Sequence, residues 1–228
     1  MQDALTLYIG EKNISSWSMR PWVALVEKGI PFEEKTISLP EDRDRSRRRA
    51  IGPTGRVPVL HHRLGSGEAS ETLIVADSLA IIEYVEEAFP SPRYPALWPD
   101  RIEERARARS LAATMHSGFA KLRESMSFNL CFLPDPPPAT PDALAEAAEM
   151  LAMWEEALAR KKDPRPFLFG PFGAVDAMYA PAVVRLTSFR VPTGSAPRAA
   201  EYMKAMLAYP AMRRWLDEAR ALAPFVSY

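Results

Sequence analysis

The feature that most constrains this chain is a change of character across a ten-residue stretch carrying Pro90, Pro92, Pro95 and Pro99. Proline cannot continue a helix or donate to a strand ladder, so this stretch predicts a linker between two units. Before it, short β-forming runs alternate with helical patterns. Ala4 to Ile9 reads as a strand ended by Gly10, and Trp22, Leu25 and Val26 repeat at helical spacing up to Gly29. Phe32 to Ile37 reads as a second strand, and a β-α-β order implies parallel pairing. Val57 to Leu60 and Leu73 to Val75 then read as an antiparallel pair around a loop with Gly65 and Gly67. A helix capped by Asp77 or Ser78 follows, ending near Phe89. The sum, βαβ then ββα, is a thioredoxin-like layout over residues 1–90.

After the linker the strand pattern disappears. Residues 101–127 are rich in Arg, Ala, Glu and Leu with helical periodicity, and Pro134 to Pro138 is a loop. Residues 141–161, 174–189, 197–208 and 210–221 supply four more helical patterns. Residues 101–228 are therefore expected to be all-α. The fold class is an α/β thioredoxin-like N-terminal domain plus an all-α C-terminal domain, with no internal repeat and no low-complexity tail.

Charge narrows the partners. The 228 residues carry 29 Lys plus Arg and 29 Asp plus Glu, so no net field points to nucleic acid or an acidic membrane. The run Arg43-Asp44-Arg45-Ser46-Arg47-Arg48-Arg49 is the local exception, either a solvated loop or helix face, or a contact for an anionic ligand. Cys131 is the one cysteine, so an intrachain disulfide, a Cys-x-x-Cys pair and a zinc cluster are excluded. His61 and His62 have no matching carboxylate or cysteine pattern, and no metal is expected. No apolar run approaches the ~20 residues that span a bilayer, and the start lacks the marks of a secretion signal. A cytoplasmic location is expected.

Three separated stretches carry complementary chemistry. Asn13-Ile14-Ser15-Ser16-Trp17-Ser18-Met19-Arg20-Pro21-Trp22 places hydroxyls at the mouth of a helix, with Pro21 expected in its first turn. Gly52 to Leu60 delivers Pro58 into the start of a strand, where a missing donor suits an edge or bend. Val75-Ala76-Asp77-Ser78 puts an acid and a hydroxyl at another helix start. Together they suit a small thiol peptide, with one helix mouth for its sulfur, a strand edge for its backbone and a second helix mouth for its carboxylate. A free thiol has a pKa of about 8.5, and a hydroxyl at a helix N-terminus can lower it by the one to two units that neutral-pH chemistry needs. Each serine also has a plainer use, as a helix cap.

The segment Ser15-Ser16-Trp17-Ser18-Met19-Arg20 resembles the serine-type glutathione transferase motif, in particular the zeta-like form Ser-Ser-Cys-Ser-x-Arg. Pro53 to Leu60 and Asp77-Ser78 resemble the same family's next two binding stretches, with Asp77 in place of the usual Glu. The resemblance covers nearly the whole chain. It implies that Ser15, five residues before Arg20, contacts the glutathione sulfur, with Ser16 as the alternate. Trp17 stands where the zeta form has cysteine, as a wall of the pocket or an anchor of the helix start. Arg56, Val57 and Pro58 are expected to hold the cysteinyl unit, Val57 through its backbone, while Asp77 and Ser78 take the γ-glutamyl end. Phe169 to Ala177 resembles the family's Ser/Thr-x-x-Asp capping box, with Gly173 in place of the hydroxyl and Asp176 retained.

The activity implied is glutathione transfer, a detoxification chemistry in which the thiolate attacks a small apolar electrophile and glutathione serves as co-substrate without a metal. Glutathione-dependent isomerisation, peroxide reduction and a non-catalytic scaffold of the same fold are the alternatives. Met115, Phe119, Leu122 and Met126 line one face of the first long helical pattern, either as core or as the border of a second-substrate site, with Arg123 beside them. The family implies a homodimer. Cys131 reads as structural.

Overall fold

A computed structural model describes residues 4–41, 45–65 and 70–222. The expected Gly67 turn, together with Arg43 and Asp44 of the basic run, lies outside the described residues.

β1 (Ala4–Ile9), α1 (Ser16–Glu27) and β2 (Glu33–Thr36) form the first β-α-β unit, and β1 pairs β2 in parallel. A short helix, α2 (Ser46–Ile51), follows in what reads as a polar stretch. It buries none of its residues, so neither period nor burial marks it in the sequence. β3 (Val59–Leu64) and β4 (Glu71–Ala76) complete a sheet of order β2-β1-β3-β4, antiparallel at both new junctions. β3 begins two residues later than expected, so Val57 and Pro58 precede the ladder instead of joining it. α3 (Ser78–Ala88) then packs back on the sheet through Ile81, Ile82 and Val85.

The proline-rich stretch is not a loose tether. Lys28, itself buried, reaches Glu86 at 2.6 Å and the Pro95 carbonyl at 2.8 Å, while Glu86 accepts from the Leu97 N–H. Leu97 and Trp98 are buried. The stretch is docked because its apolar residues have a core to enter and its backbone polar groups have fixed partners.

The helical half begins with α4 (Ile102–Ser117) and α5 (Ala120–Ser125). The sequence reads these as one pattern, but Phe119 sits at φ 58°, a left-handed conformation that ends a helix. After a 3-10 turn at Phe128–Phe132 come α6 (Pro141–Arg160), α7 (Ala174–Ser188), α8 (Pro197–Ala208) and α9 (Pro210–Ala221). α7 is buried from Ala174 through Leu186, Asp176 and Arg185 included, and is the central post of the helical half. Gly173, at its N-cap, has a physical reason to lack the usual hydroxyl: a Cβ there would stand 2.5 Å from the Leu97 carbonyl, which accepts from the Ala174 N–H at 2.8 Å. The Asp176 half of the capping box survives, its carboxylate accepting from Gly173 N at 2.9 Å.

The two halves are locked together along α1. Its inner face packs on α7, and Trp22 meets Trp215 of α9 edge-on at 5.3 Å. Lys12 lies over both indole rings and pairs with Glu34 at 2.8 Å and with Glu218 of α9. Glu27 accepts a hydrogen bond from the Tyr209 hydroxyl. Among the described residues, no helix is long and apolar enough to cross a membrane.

Candidate active site

The three stretches converge on one cleft of about 700 Å³, within the range of small-ligand sites. Ser15, Ser16, Trp17, Val57, Pro58, Arg56, Asp77 and Ser78 all line it. Arg45 and Arg48 reach its rim from the start of α2, so part of the basic run faces the cleft and not only solvent. A larger groove of about 810 Å³ runs between α4 and α6, toward the end of α4 away from His116. It gathers none of the three stretches, and the converging chemistry lies in the smaller cleft.

At the mouth of α1, Ser15 occupies the N-cap position but its side chain makes no capping hydrogen bond. The plain use of a serine there is therefore not the one made. Its Oγ lies 2.7 Å from Ser18 Oγ, and Ser18 Oγ accepts from the Gly10 N–H at 3.2 Å. The first-turn N–H groups of α1 are left without a side-chain acceptor, and the positive end of the helix faces the cleft. Ser16 is tied from behind, its hydroxyl accepting from Arg185 Nη2 at 3.2 Å.

Val57 is followed by a cis peptide bond to Pro58. Neither residue belongs to the β3 register, so the Val57 backbone stands at the cleft without a ladder partner among the described residues.

At the mouth of α3, Asp77 is the cap, not Ser78: its Oδ1 accepts from Leu79 N at 2.8 Å and Ala80 N at 3.1 Å. Ser78 is the first helical residue, fully buried, with its Oγ unpartnered. Asp77 has φ 111° and ψ 142°, a region that costs a non-glycine residue of order 1–3 kcal/mol. Strain of this kind marks a position held by its surroundings. Asp77 Oδ2 also stands 3.4 Å from His116 Nε2 on α4, so the helical half contributes a wall to the cleft that the sequence does not single out.

Behind Ser16 and Trp17 three guanidiniums gather. Arg20 and Arg185 are buried, and burial pulls them down to about 9 and about 10, helped by repulsion from Arg185 and Arg123 at Arg20 and from Arg123 at Arg185. Arg123 is lowered by burial as well. At neutral pH all three remain charged. Trp17 lies between two of them, with Arg20 over its ring at 4.1 Å, Arg123 at 5.7 Å and His116 edge-on at 5.3 Å. Arg20 Nε and Nη1 are buried without hydrogen-bond partners among the described residues, and the carboxylates that act on the cluster are Asp77 at Arg20 and Glu146 at Arg123. The cluster is visible in the sequence only as isolated arginines on three helical patterns. Met115 and Phe119 pack into the core and do not line the cleft, and Arg123 stands behind Trp17 without lining it either.

Among the described residues no group of three side chains that could hold a metal is assembled. His61 bonds the Ile51 carbonyl and His62 the Tyr84 hydroxyl, both at 2.6 Å. Cys131 is buried, and burial raises its thiol to about 11, which suits a packing role and not a nucleophile.

A sheet of this order beside a helical half, with a hydroxyl-bearing helix mouth facing an unpaired strand start, defines a thioredoxin-like thiol-binding class. Family models make the assignment specific. The glutathione S-transferase N-terminal domain matches residues 14–88 and the glutathione S-transferase C-terminal domain matches residues 137–218. The chain belongs to the glutathione S-transferase family. A probable maleylacetoacetate isomerase of Caenorhabditis elegans is 33% identical over 116 residues, 51% of this chain and 48% of the relative. Maleylacetoacetate isomerase of Pseudomonas aeruginosa is 32% identical over 129 residues, 55% of each chain. The matched stretches thus span about half the length of these curated relatives. A crystal structure of a glutathione transferase homologue from Burkholderia gl BGR1, with bound glutathione, is 27% identical with a TM-score of 0.66, covering 96% of this chain and 99% of that one.

Proposed function

We propose that this protein is a glutathione-dependent enzyme that activates the glutathione thiolate at Ser15 for attack on a small electrophile. The observation that carries the reading is the Ser15 hydroxyl, which sits at the mouth of α1 without serving as its cap and opens on the cleft that also holds Val57, Asp77 and Ser78. Residues 1–90 form the glutathione-binding unit and residues 101–228 border the second substrate. The Val57 backbone pairs with the cysteinyl unit as an added strand. The N–H and buried hydroxyl of Ser78 receive the γ-glutamyl carboxylate, and the second carboxylate oxygen of Asp77, the one not used in the cap, receives the amine. Arg45, Arg48 and Arg56 draw the glycine carboxylate to the rim.

Chemically the site needs no covalent enzyme intermediate. The thiol proton leaves to solvent, the Ser15 O–H and the α1 dipole hold the sulfur anion, and proximity does the rest. The guanidinium cluster favours an electrophile bearing a carboxylate over the apolar one read from the sequence. Arg123 is the partly exposed member that an incoming acid meets first. With an α-halo acid the sulfur–carbon bond forms as the halide leaves. With a cis-unsaturated acid the thiolate adds to the double bond, the resulting single bond rotates, and expulsion of the thiolate gives the trans product with glutathione regenerated. The names of the two isomerase relatives favour this second course. The protein is read as cytoplasmic and homodimeric, the exposed Ile74 on β4 and Ile102 on α4 supplying apolar surface for a second copy.

The test is calorimetric glutathione binding to wild type and Ser15→Ala, with thiolate absorbance followed against pH and turnover measured on acidic and neutral electrophiles. A depressed thiol pKa that Ser15→Ala raises by about one unit, with turnover of acids, supports the reading. Binding without a pKa shift identifies a carrier, and no binding leaves a scaffold.

A further inference from the structure

We infer that Ser18 is a positioning residue that sets the direction of the Ser15 hydroxyl, so that its proton points to the glutathione sulfur. The inference rests on the reading of Ser15 as the sulfur's donor. It concerns a residue on the inner side of α1 that does not line the cleft.

A serine hydroxyl offers one proton and two acceptor lone pairs. Ser18 is fully buried, and one of its lone pairs is taken by the Gly10 N–H at 3.2 Å. Its one side-chain neighbour in hydrogen-bonding range is Ser15 Oγ, at 2.7 Å, where either oxygen can donate. The two directions differ in what they leave behind. If Ser15 donates, Ser18 accepts twice, its own buried proton has no acceptor among the described residues, and Ser15 has no proton left for a ligand. If Ser18 donates, its proton and its acceptor are both satisfied, and the Ser15 proton is free to turn into the cleft. Leaving a buried donor unmade is the costlier arrangement, so the second direction prevails.

The result is a head-to-tail chain from the Gly10 N–H through Ser18 and Ser15 to the sulfur anion. Each donor in such a chain is polarised by the one behind it, which strengthens the last bond toward the developing charge. Ser16 stands outside this chain: its hydroxyl accepts from Arg185 on the other side and not from Ser18. The chain also gives a reason for two serines at the spacing of one helical turn, with the nearer one uncapped.

The experiment is a pH titration of bound-glutathione thiolate absorbance on wild type, Ser15→Ala, Ser18→Ala, Ser18→Thr and the Ser15→Ala/Ser18→Ala double variant, with thermal midpoints recorded in parallel. Ser18→Ala is expected to lower the thiolate fraction about fivefold below the thiol pKa, the worth of one ordinary hydrogen bond. Turnover should fall by the same factor at low pH and return to the wild-type value at high pH, with KM nearly unchanged. Ser18→Thr, which keeps the hydroxyl, restores the wild-type titration, and the double variant is no worse than Ser15→Ala alone. An unchanged titration in Ser18→Ala, additive effects in the double variant, or a drop in midpoint with no movement of the thiol would each overturn the inference. If Ser15→Ala itself leaves the thiol unmoved, the Ser15 reading fails first and this one with it. If Ser18→Ala does not fold, the wild-type Ser18 hydroxyl proton decides by NMR. A slowly exchanging signal that moves downfield as the bound thiol ionises supports the chain, and an unmoved signal overturns it.

Discussion

Asp176 is the buried group whose titration should control how this protein's stability responds to pH. Its carboxyl is completely enclosed at the start of α7, and burial raises it to about 7 from an ordinary value near 4. The N–H groups of Leu168, at 3.2 Å, and Gly173, at 2.9 Å, pull the other way by favouring the charged form. A carboxyl whose folded pKa lies above its unfolded one binds its proton more tightly when folded. Its contribution to stability is then full below about pH 4 and is lost as the pH rises through 7. Over the span from pH 5 to pH 8 the loss is roughly 2–3 kcal/mol, at about 1.4 kcal/mol per unit. For a chain of this size that lowers the thermal midpoint by about 5–10 °C. Asp176→Asn removes the titration while keeping one acceptor oxygen. It should therefore be less stable than wild type at pH 5 but show little of the slope between pH 5 and 8. Circular dichroism melts at four pH values across that range suffice. A wild-type midpoint that holds or rises toward pH 8, or the same slope in Asp176→Asn, would refute the argument and show that the two backbone donors outweigh burial.

Two further substitutions probe the cluster behind the cleft and the clasp between the halves. Arg185→Met removes a charge that lies behind Ser16 and does not line the cleft, and is expected to reduce kcat/KM about fivefold for a carboxylate-bearing electrophile, the scale of one charge acting at a distance, and less than about twofold for a neutral one. Equal losses on both would show that Arg185 acts only by holding Ser16 and the Met126 carbonyl, to which its Nε donates at 2.8 Å. Lys12→Met should cost about 1–2 kcal/mol in a melt, below the figure for a fully enclosed pair because Glu34 and Glu218 keep 29% and 41% of their side-chain exposure. A midpoint unchanged within a degree would mean that the methionine packing on Trp22 and Trp215 offsets the lost charges.

How much of this was legible without coordinates depends on the range over which each signal acts. The β-α-β order, the bounds of β1, α8 and α9, and the change to an all-helical half follow from local periodicity and proline, so a linear reading reaches them. The three stretches that line the cleft were legible for the same reason, since each is a helix mouth or strand start written in consecutive residues. α2 escaped because no face of it is buried and no apolar period marks it. The split of α4 from α5 escaped because it rests on one backbone angle at Phe119.

What only the tertiary structure decided is which of the polar groups at each mouth is free. Sequence alone places Ser15, Ser16 and Ser18 together but cannot rank them. Their separate hydrogen-bond partners come from Arg185 on α7, 169 residues from Ser16, and from the Gly10 backbone that closes over Ser18. In the same way Asp77 takes the cap and leaves Ser78 open, His116 closes the cleft from α4, and Gly173 makes room for the Leu97 carbonyl. Each of these is a contact between segments distant in the chain, set by packing after the local elements have formed. Local propensity determined the elements and the candidate stretches. Long-range packing determined which atoms in them remain available for chemistry.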